Sequence, residues 1–509
     1  MIEGPAIESL ELKLKLLFGL ESFRLGQKEI IESALKSNDV LAVMPTGGGK
    51  SLCFQLPALI KTGVAVIVSP LIALMNDQVK NLKAKGIPAG SIHSGMSLEE
   101  RKLVFQEMRK SESFLLYLSP ERTQSEGFLE WLKEQKISLI AIDEAHCVSQ
   151  WGHDFRPEYA QLKKLKELKP DTPMIALTAT ATPLVKNDII KQLGLKKTDQ
   201  HVYGFYRPNL YYQVEFCETE SEKENFVLAA LKKHPKGRVL IYCGTRKKVE
   251  ACASYLKSQG YNADFYHAGL TPEKRKSTEG KYKNGEIRIL AATNAFGMGI
   301  DHPDVRLVVH TQVTGNIESY YQEIGRAGRD GKDSTCLLVY SKKDKGLQSF
   351  FIQSSRAPKG IKNMRWDALN AMMNYAEGSE CRHGDILTYF KDVRRIKKCG
   401  HCDSCEPNSA RKIEALKVPT KTKTRKKKLE TIDLVLSDDQ TEKLSEIREW
   451  RRLYAREKDI PAFMVFGDKT LTDLIVKHPK THTELETVYG LGKKKVKEFG
   501  EPLIRVLRA

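Results

Sequence analysis

The sequence predicts an α/β fold built on two parallel sheets in tandem, followed by a helical region. Three observations predict it. Short apolar runs alternate with charged helical segments of about 10–20 residues, the pattern of a sheet covered by helices on both faces. The stretch DVLAVMPTGGGKS, from Asp39 to Ser51, reads as strand, glycine-rich loop and helix start. The same grammar begins again near residue 201, without a glycine-rich loop of its own.

The elements follow in order. Residues 8 to 20 read as a helix ending near Gly19, and FRLGQKEII follows at 23–31. Gln27 carries the paired donor and acceptor that suit an adenine edge. The loop at Thr46 to Ser51 is a phosphate cradle. Gly47, Gly48 and Gly49 lack a Cβ, so the backbone can bend round an anion with its N–H groups turned inward. The following helix adds the partial positive charge of its N-terminus. Lys50 reaches the outer phosphates and the Ser51 hydroxyl ligates Mg²⁺. The motif asks for glycine five residues before Gly49, and Met44 stands there instead.

Then come VAVIVSP (64–70), FLLYLSP (114–120), LIAIDEAH (139–146) and MIALTAT (174–180), each an apolar run ending in polar residues. In parallel sheets the chemistry gathers at the carboxyl ends of strands. An acidic pair there, downstream of a phosphate cradle, divides the labour: Asp143 holds Mg²⁺ and Glu144 orients the attacking water. In the second half, strands are expected at 237–245, 263–269, 287–293 and 305–310, before YYQEIGRAGRDG at 320–331. Gln322, Arg326 and Arg329 recur at spacings of four and three, which places them on one helix face. Arginines of one domain facing a triphosphate held by the other would neutralise charge as the γ-phosphate leaves.

The length of 509 residues corresponds to about three or four domains. The formal charge of +19 favours a polyanionic partner such as nucleic acid. No apolar run is long enough to span a membrane, and the N-terminus lacks a signal pattern, so a cytoplasmic protein is expected. Six of the ten cysteines are scattered, which suits a reducing compartment. The other four, Cys381, Cys399, Cys402 and Cys405, form C-x17-C-x2-C-x2-C. Four thiolates suit a closed tetrahedral zinc site, and an iron–sulfur cluster takes the same number. Residues 407–436 read as a basic linker, with seven Lys or Arg among the twelve residues from Lys417 to Lys428. Beyond it, several short helices are expected, with Lys493, Lys494, Lys495 and Lys497 ready for phosphates.

MPTGGGKS, SPLIALMNDQV, DEAHCVSQWGHDFRPEY, LTATAT, YHAGL, ATNAFGMGID and YYQEIGRAGRDG together resemble the RecQ family of DNA helicases over roughly residues 10–406. DEAH alone marks a broad class that includes RNA helicases. CVSQWGHDFRPEY is more specific and resembles the family's aromatic-rich loop, which couples strand binding to hydrolysis. Trp151 and Phe155 can stack on bases and Arg156 can meet a phosphate.

The resemblance implies RecA-like domains over 1–200 and 201–340, a helical zinc-binding module over 341–406, the linker over 407–436 and an HRDC-like domain over 437–509. It implies adenine contacts at Arg24 and Gln27, with Leu20 where the family often carries a stacking aromatic. It implies a ribose or bridging role for Asp301, and DNA contacts at Ser69, His153 and Thr245. Many members place a winged-helix domain after the zinc module, and the linker of about 30 residues is too short for one. The implied activity is ATP-driven, 3′→5′ unwinding of DNA in repair and recombination, with Mg²⁺ and Zn²⁺ as cofactors. The implied partners are single-stranded and forked DNA, with a single-strand-binding protein as a further candidate, and a monomer is expected. The rival readings are a DEAH-type RNA helicase and an ATP-switched DNA-annealing or clamp protein.

Overall fold

The computed structural model describes residues 9–152, 154–296, 302–416, 437–460 and 462–508. His153, Asp301 and the basic run of 417–428 lie outside the described residues.

The first sheet comprises β1 (Val40–Val43), β2 (Gly63–Val68), β3 (Ala89–Ile92), β4 (Ser113–Leu118), β5 (Ile137–Ile142), β6 (Met174–Thr178) and β7 (Asp199–Val202). Their order is β3-β4-β2-β5-β6-β1-β7, and every pairing is parallel. β1, β5 and β6 are buried along their whole length, because helices cover both faces and a strand so placed has no wet side. This is why they read as unbroken apolar runs. β3 and β7 were not foreseen. They sit at the two edges with the sequences AGSI and DQHV, which carry no apolar run to betray a strand. The first helix, Leu10–Phe18, ends as expected on Gly19, whose φ of 70° favours a residue without a Cβ.

The second sheet comprises β8 (Leu210–Phe216), β9 (Arg238–Tyr242), β10 (Ala263–Tyr266), β11 (Ile289–Ala292), β12 (Val305–His310) and β13 (Ser334–Tyr340). Its order is β10-β11-β9-β12-β13-β8, again parallel throughout. Helices Lys342–Ser354, Lys359–Glu377 and Arg382–Tyr389 follow and pack onto this lobe. The cysteine module is stitched to β8: Cys402 bridges Tyr212, and the Asp403 amide donates to the Tyr212 carbonyl at 3.0 Å.

The C-terminal unit has helices Asp438–Glu457, Ala462–Val465, Asp468–Lys477, His482–Glu486 and Lys493–Arg508 around Ile447, Phe466, Leu474 and Leu503. It docks on helix Lys359–Glu377. Asn374 Nδ2 donates to the Phe463 carbonyl at 2.7 Å, and Ser379 Oγ donates to Asp468 at 2.9 Å. Gly467 is required there, since a Cβ would lie 2.7 Å from Asn374 Oδ1. Docking corrects one expectation. Lys495 turns inward, donating to the Val465 carbonyl at 2.5 Å, and burial pulls its pKa down to about 8. Lys494 faces Asp367 at 3.4 Å. Of the four lysines, Lys493 and Lys497 are exposed and have no such partner among the described residues.

Candidate active site

The cradle forms where β1 ends. Gly47 and Gly49 take φ of 83° and 78°, and a Cβ on Gly48 would lie 3.0 Å from the Pro45 carbonyl oxygen. Helix Lys50–Ile60 opens directly on Gly49, aiming its free N–H groups at the loop. Lys50 Nζ reaches the Met44 carbonyl at 3.4 Å, so its charge sits at the loop's mouth. Met44 itself is buried in the core, which explains an apolar residue at a position the motif gives to glycine.

Arg24 and Gln27 arrive from the turn before helix Gln27–Leu35. Gln27 Oε1 accepts from the Arg24 amide at 2.8 Å, and its Nε2 donates to the Gly49 carbonyl at 3.0 Å. Arg24 donates to the Gly47 carbonyl. Both side chains therefore border the cradle. Tyr203 packs beside them so closely that a Cβ on Gly26 would lie 2.3 Å from its ring.

The acidic pair stands at the end of β5. Burial, and then the Glu144 charge, push Asp143 up to about 6, while Lys50 pulls the other way. Glu144 has φ 47° and ψ 47°, a left-handed conformation that costs a side-chain-bearing residue energy and recurs at functional sites. His146 Nδ1 lies 2.9 Å from Thr178 Oγ1 and 3.3 Å from Glu144 Oε2, linking DEAH to LTATAT. Ser69 is buried and donates to Asp143 at 3.3 Å. That places it behind the carboxylate and away from an open DNA-facing surface.

The loop after DEAH projects Trp151, 40% exposed, with Phe155 half-buried beside it. Gly152 makes the tight turn possible, since a Cβ would lie 2.4 Å from the His146 carbonyl oxygen. Arg156 pairs with Asp154 at 3.2 Å and donates to the Pro70 carbonyl at 3.2 Å, so it braces the loop. Thr245 caps helix Arg246–Ser258 by accepting from the Lys248 amide at 3.2 Å, at the carboxyl end of β9.

The arginines are grouped differently from the expected helix face. Gln322 lies in helix Ile317–Ile324, which ends before Arg326 and Arg329. Gly328 takes φ 54° with Asn209 and the Lys332 carbonyl so near that no Cβ fits, and this turn carries the chain back to the cradle. There Arg329 lies against Gly47: a Cβ on Gly47 would be 3.1 Å from Arg329 Cγ. A Cβ on Gly325 would be 3.4 Å from Thr46. Arg326 is buried; burial raises the Tyr242 hydroxyl to about 12, while the Arg326 charge works to lower it. Arg207, which sequence reasoning missed, ties the lobes. It donates to the Ala327 and Gly328 carbonyls at 2.9 Å and reaches the Thr46 carbonyl at 3.5 Å. Its only signal was RPN at 207–209, a turn without apolar pattern.

The Sγ atoms of Cys381, Cys399, Cys402 and Cys405 lie within 4.8 Å of one another. The Gly384 amide donates to Cys381 Sγ at 3.3 Å and the His401 amide to Cys399 Sγ at 3.4 Å. Hydrogen bonds from Cys399 and then Cys402 draw the Cys381 thiol down to about 4. Convergent sulfurs with backbone donors fit a tetrahedral four-thiolate metal site.

A phosphate cradle and an acidic strand end in one parallel-sheet lobe, closed by arginines from a second, define a two-lobed nucleotide-binding core. The DEAD/DEAH box helicase family matches residues 24–187 and the helicase conserved C-terminal domain matches 222–331. RecQ zinc-binding matches 342–406 and the HRDC domain 440–507. The chain is 33% identical to "ATP-dependent DNA helicase RecQ" of Bacillus subtilis, with 97% of each chain covered. It is 42% identical over 408 residues to the protein of the same name from Haemophilus influenzae, covering 80% of this chain and 64% of that one. The chain belongs to the RecQ family. It spans 64% and 61% of the Haemophilus influenzae and Pasteurella multocida relatives. The Bacillus subtilis alignment runs over 579 residues, more than this chain holds, so it opens gaps on this side. Among solved structures, the helicase MrfA bound to DNA gives a TM-score of 0.55 at 19% identity, covering 77% of this chain and 59% of that one. Saccharomyces cerevisiae Dbp5 bound to RNA gives 0.53 at 17%, covering 72% and 98%. These two share the fold of the paired lobes. No described helix is long and apolar enough to cross a membrane.

Proposed function

We propose that the chain is an ATP-dependent DNA helicase that moves 3′→5′ along a single strand and opens duplexes in repair and recombination. The observation that carries this is the contact of Arg329 and Gly325 with the cradle residues Gly47 and Thr46 across the lobes. A nucleotide seated there bridges two bodies, so its hydrolysis changes their separation. The expected units are 1–200, 201–340, 341–406, 407–436 and 437–509. Direction of travel and the DNA substrate rest on family membership and on relatives named as DNA helicases.

In this reading Thr46 to Ser51 wrap the phosphates, while Arg24 and Gln27 release the cradle carbonyls to take the adenine edge. Asp301 serves the ribose. Ser51 and Asp143 would hold Mg²⁺, which neutralises charge between the outer phosphates. Glu144, oriented through His146, places the attacking water. Gln322, Arg326 and Arg329 belong to the closing lobe. Cys381, Cys399, Cys402 and Cys405 would hold one zinc. Trp151, His153, Phe155, Arg156 and Thr245 form or brace the strand path, and Ser69 steadies Asp143 from behind. The protein works as a cytoplasmic monomer on single-stranded and forked DNA, with a single-strand-binding protein as a candidate partner.

The test compares ATP hydrolysis with and without single-stranded DNA or RNA, then strand release from a 3′-tailed duplex. DNA-dependent hydrolysis with strand release is expected. Stimulation by RNA alone would favour the RNA-helicase reading, and hydrolysis without release would favour a clamp. The exposed Trp151 gives a sharper check. Trp151→Ala should weaken single-strand binding by about 1–3 kcal/mol, roughly five- to 150-fold, in fluorescence anisotropy. A core tryptophan would instead lower the melting temperature.

A further inference from the structure

A cavity of about 610 Å³ opens between the aromatic loop and the helices that follow the second sheet. Trp151 and Phe155 form one wall, and Phe351, Ile361, Met364 and Arg365 form the other. Phe351 is 44% exposed, and its neighbour Phe350, outside the cavity, is 62% exposed. Their ring centroids lie 6.1 Å apart. Two adjacent phenylalanines left in water on one helix are unusual for a soluble surface and call for an occupant.

The surrounding charge says which. Lys342, Lys343, Arg356, Lys359 and Arg365 are exposed on the same stretch. Its one acid, Asp344, is buried and paired with Lys223 at 2.9 Å. Every exposed charge from 342 to 365 is therefore positive. The two acids on the cavity wall are engaged elsewhere, Asp154 with Arg156 at 3.2 Å and Glu318 with the Tyr389 hydroxyl at 2.9 Å. Apolar rings flanked by exposed cations suit DNA, whose bases offer flat faces and whose phosphates offer charge. Among partners that use both halves of that chemistry, the net charge of +19 and the stacking wall of Trp151 favour DNA over an acidic protein or an anionic lipid surface.

We propose that Phe350 and Phe351 form the strand-parting face of this protein. Phe351 continues the stacking wall begun by Trp151, and Phe350 meets the terminal base pair at the duplex edge. Apolar side chains are known to unstack base steps when driven between them. A ring face offered to the terminal pair replaces the stacking lost as that pair opens. This places the parting surface in the helical module itself, in a chain whose linker is too short for a winged-helix domain. The inference rests on the helicase reading above.

The experiment measures strands released per ATP consumed on a 3′-tailed duplex, with the full chain and the variants Phe350→Ala and Phe350→Trp. The expected result is an approximately tenfold lower ratio for Phe350→Ala and recovery in Phe350→Trp, with all three melting alike. An unchanged ratio in Phe350→Ala would overturn the parting role while leaving the helicase reading in place. A native chain that forms dimers lost in Phe350→Ala, with the ratio unchanged, would assign the face to a second copy. Absence of strand release from the native chain would sink the helicase reading and this inference together.

Discussion

Lys50→Ala is expected to abolish DNA-stimulated ATP hydrolysis, lowering the rate at least about a hundredfold, since one preorganised charge at a developing anion is worth about 3–4 kcal/mol. The size of the effect follows from position. Lys50 is the first residue of helix Lys50–Ile60, and its Nζ reaches a backbone carbonyl, that of Met44, at 3.4 Å. It is thus a cation held at the cradle's mouth with little work to do in the fold. Removing it takes charge from the outer phosphates while Gly47, Gly48 and Gly49 keep their backbone shape, so the melting temperature should move by only a few degrees. Arg329→Ala should reproduce part of the loss from the other lobe, since that side chain lies against Gly47. Retained hydrolysis in Lys50→Ala would defeat the assignment of the cradle. Loss of hydrolysis accompanied by a large fall in melting temperature would instead mark Lys50 as structural.

Much of this site was legible in the sequence because the signals are local. A strand buried on both faces must be apolar throughout, so β1, β2, β4, β5 and β6 announced themselves, and the polar residues at their ends marked the sheet edge where ligands bind. The glycines of the cradle are dictated by backbone sterics and read the same way in any fold. What stayed hidden depends on partners distant in the chain. The expected helix face of Gln322, Arg326 and Arg329 is broken after Ile324, yet the turn through Gly328 brings Arg329 to the cradle by another route. Arg207 has no pattern around it and gains its place only when the lobes meet. Lys495 looked like a phosphate-binding surface lysine, but the packing of the C-terminal unit turned it towards the carbonyls of Met464 and Val465.

Loss of the metal from the cysteine module should be the largest stability effect in the molecule. About one zinc per chain is expected by elemental analysis, and iron in its place would overturn the assignment. Structural zinc contributes about 10–16 kcal/mol in small modules, as much as or more than the 5–15 kcal/mol that holds a typical domain folded. Here the loss would spread. Cys402 bridges Tyr212 on β8, and the Asp403 carboxylate accepts from the Val214 amide at 2.9 Å and pairs with the buried Arg382 at 2.9 Å. β8 is the edge strand of the second sheet, so the metal site clamps that edge. Cys402→Ser, or prolonged chelation, should lower the melting temperature by more than about 10 °C, because several kcal/mol are removed from a domain of this size. Hydrogen exchange at β8 should quicken while β1 and β5 of the first lobe keep their protection, since the bonds of the cysteine loop run to Tyr212 and Val214 of β8. Metal-free protein with an unchanged melting curve would reduce the four thiols to bystanders. Uniform loss of protection across both lobes would show that the two sheets unfold as one body.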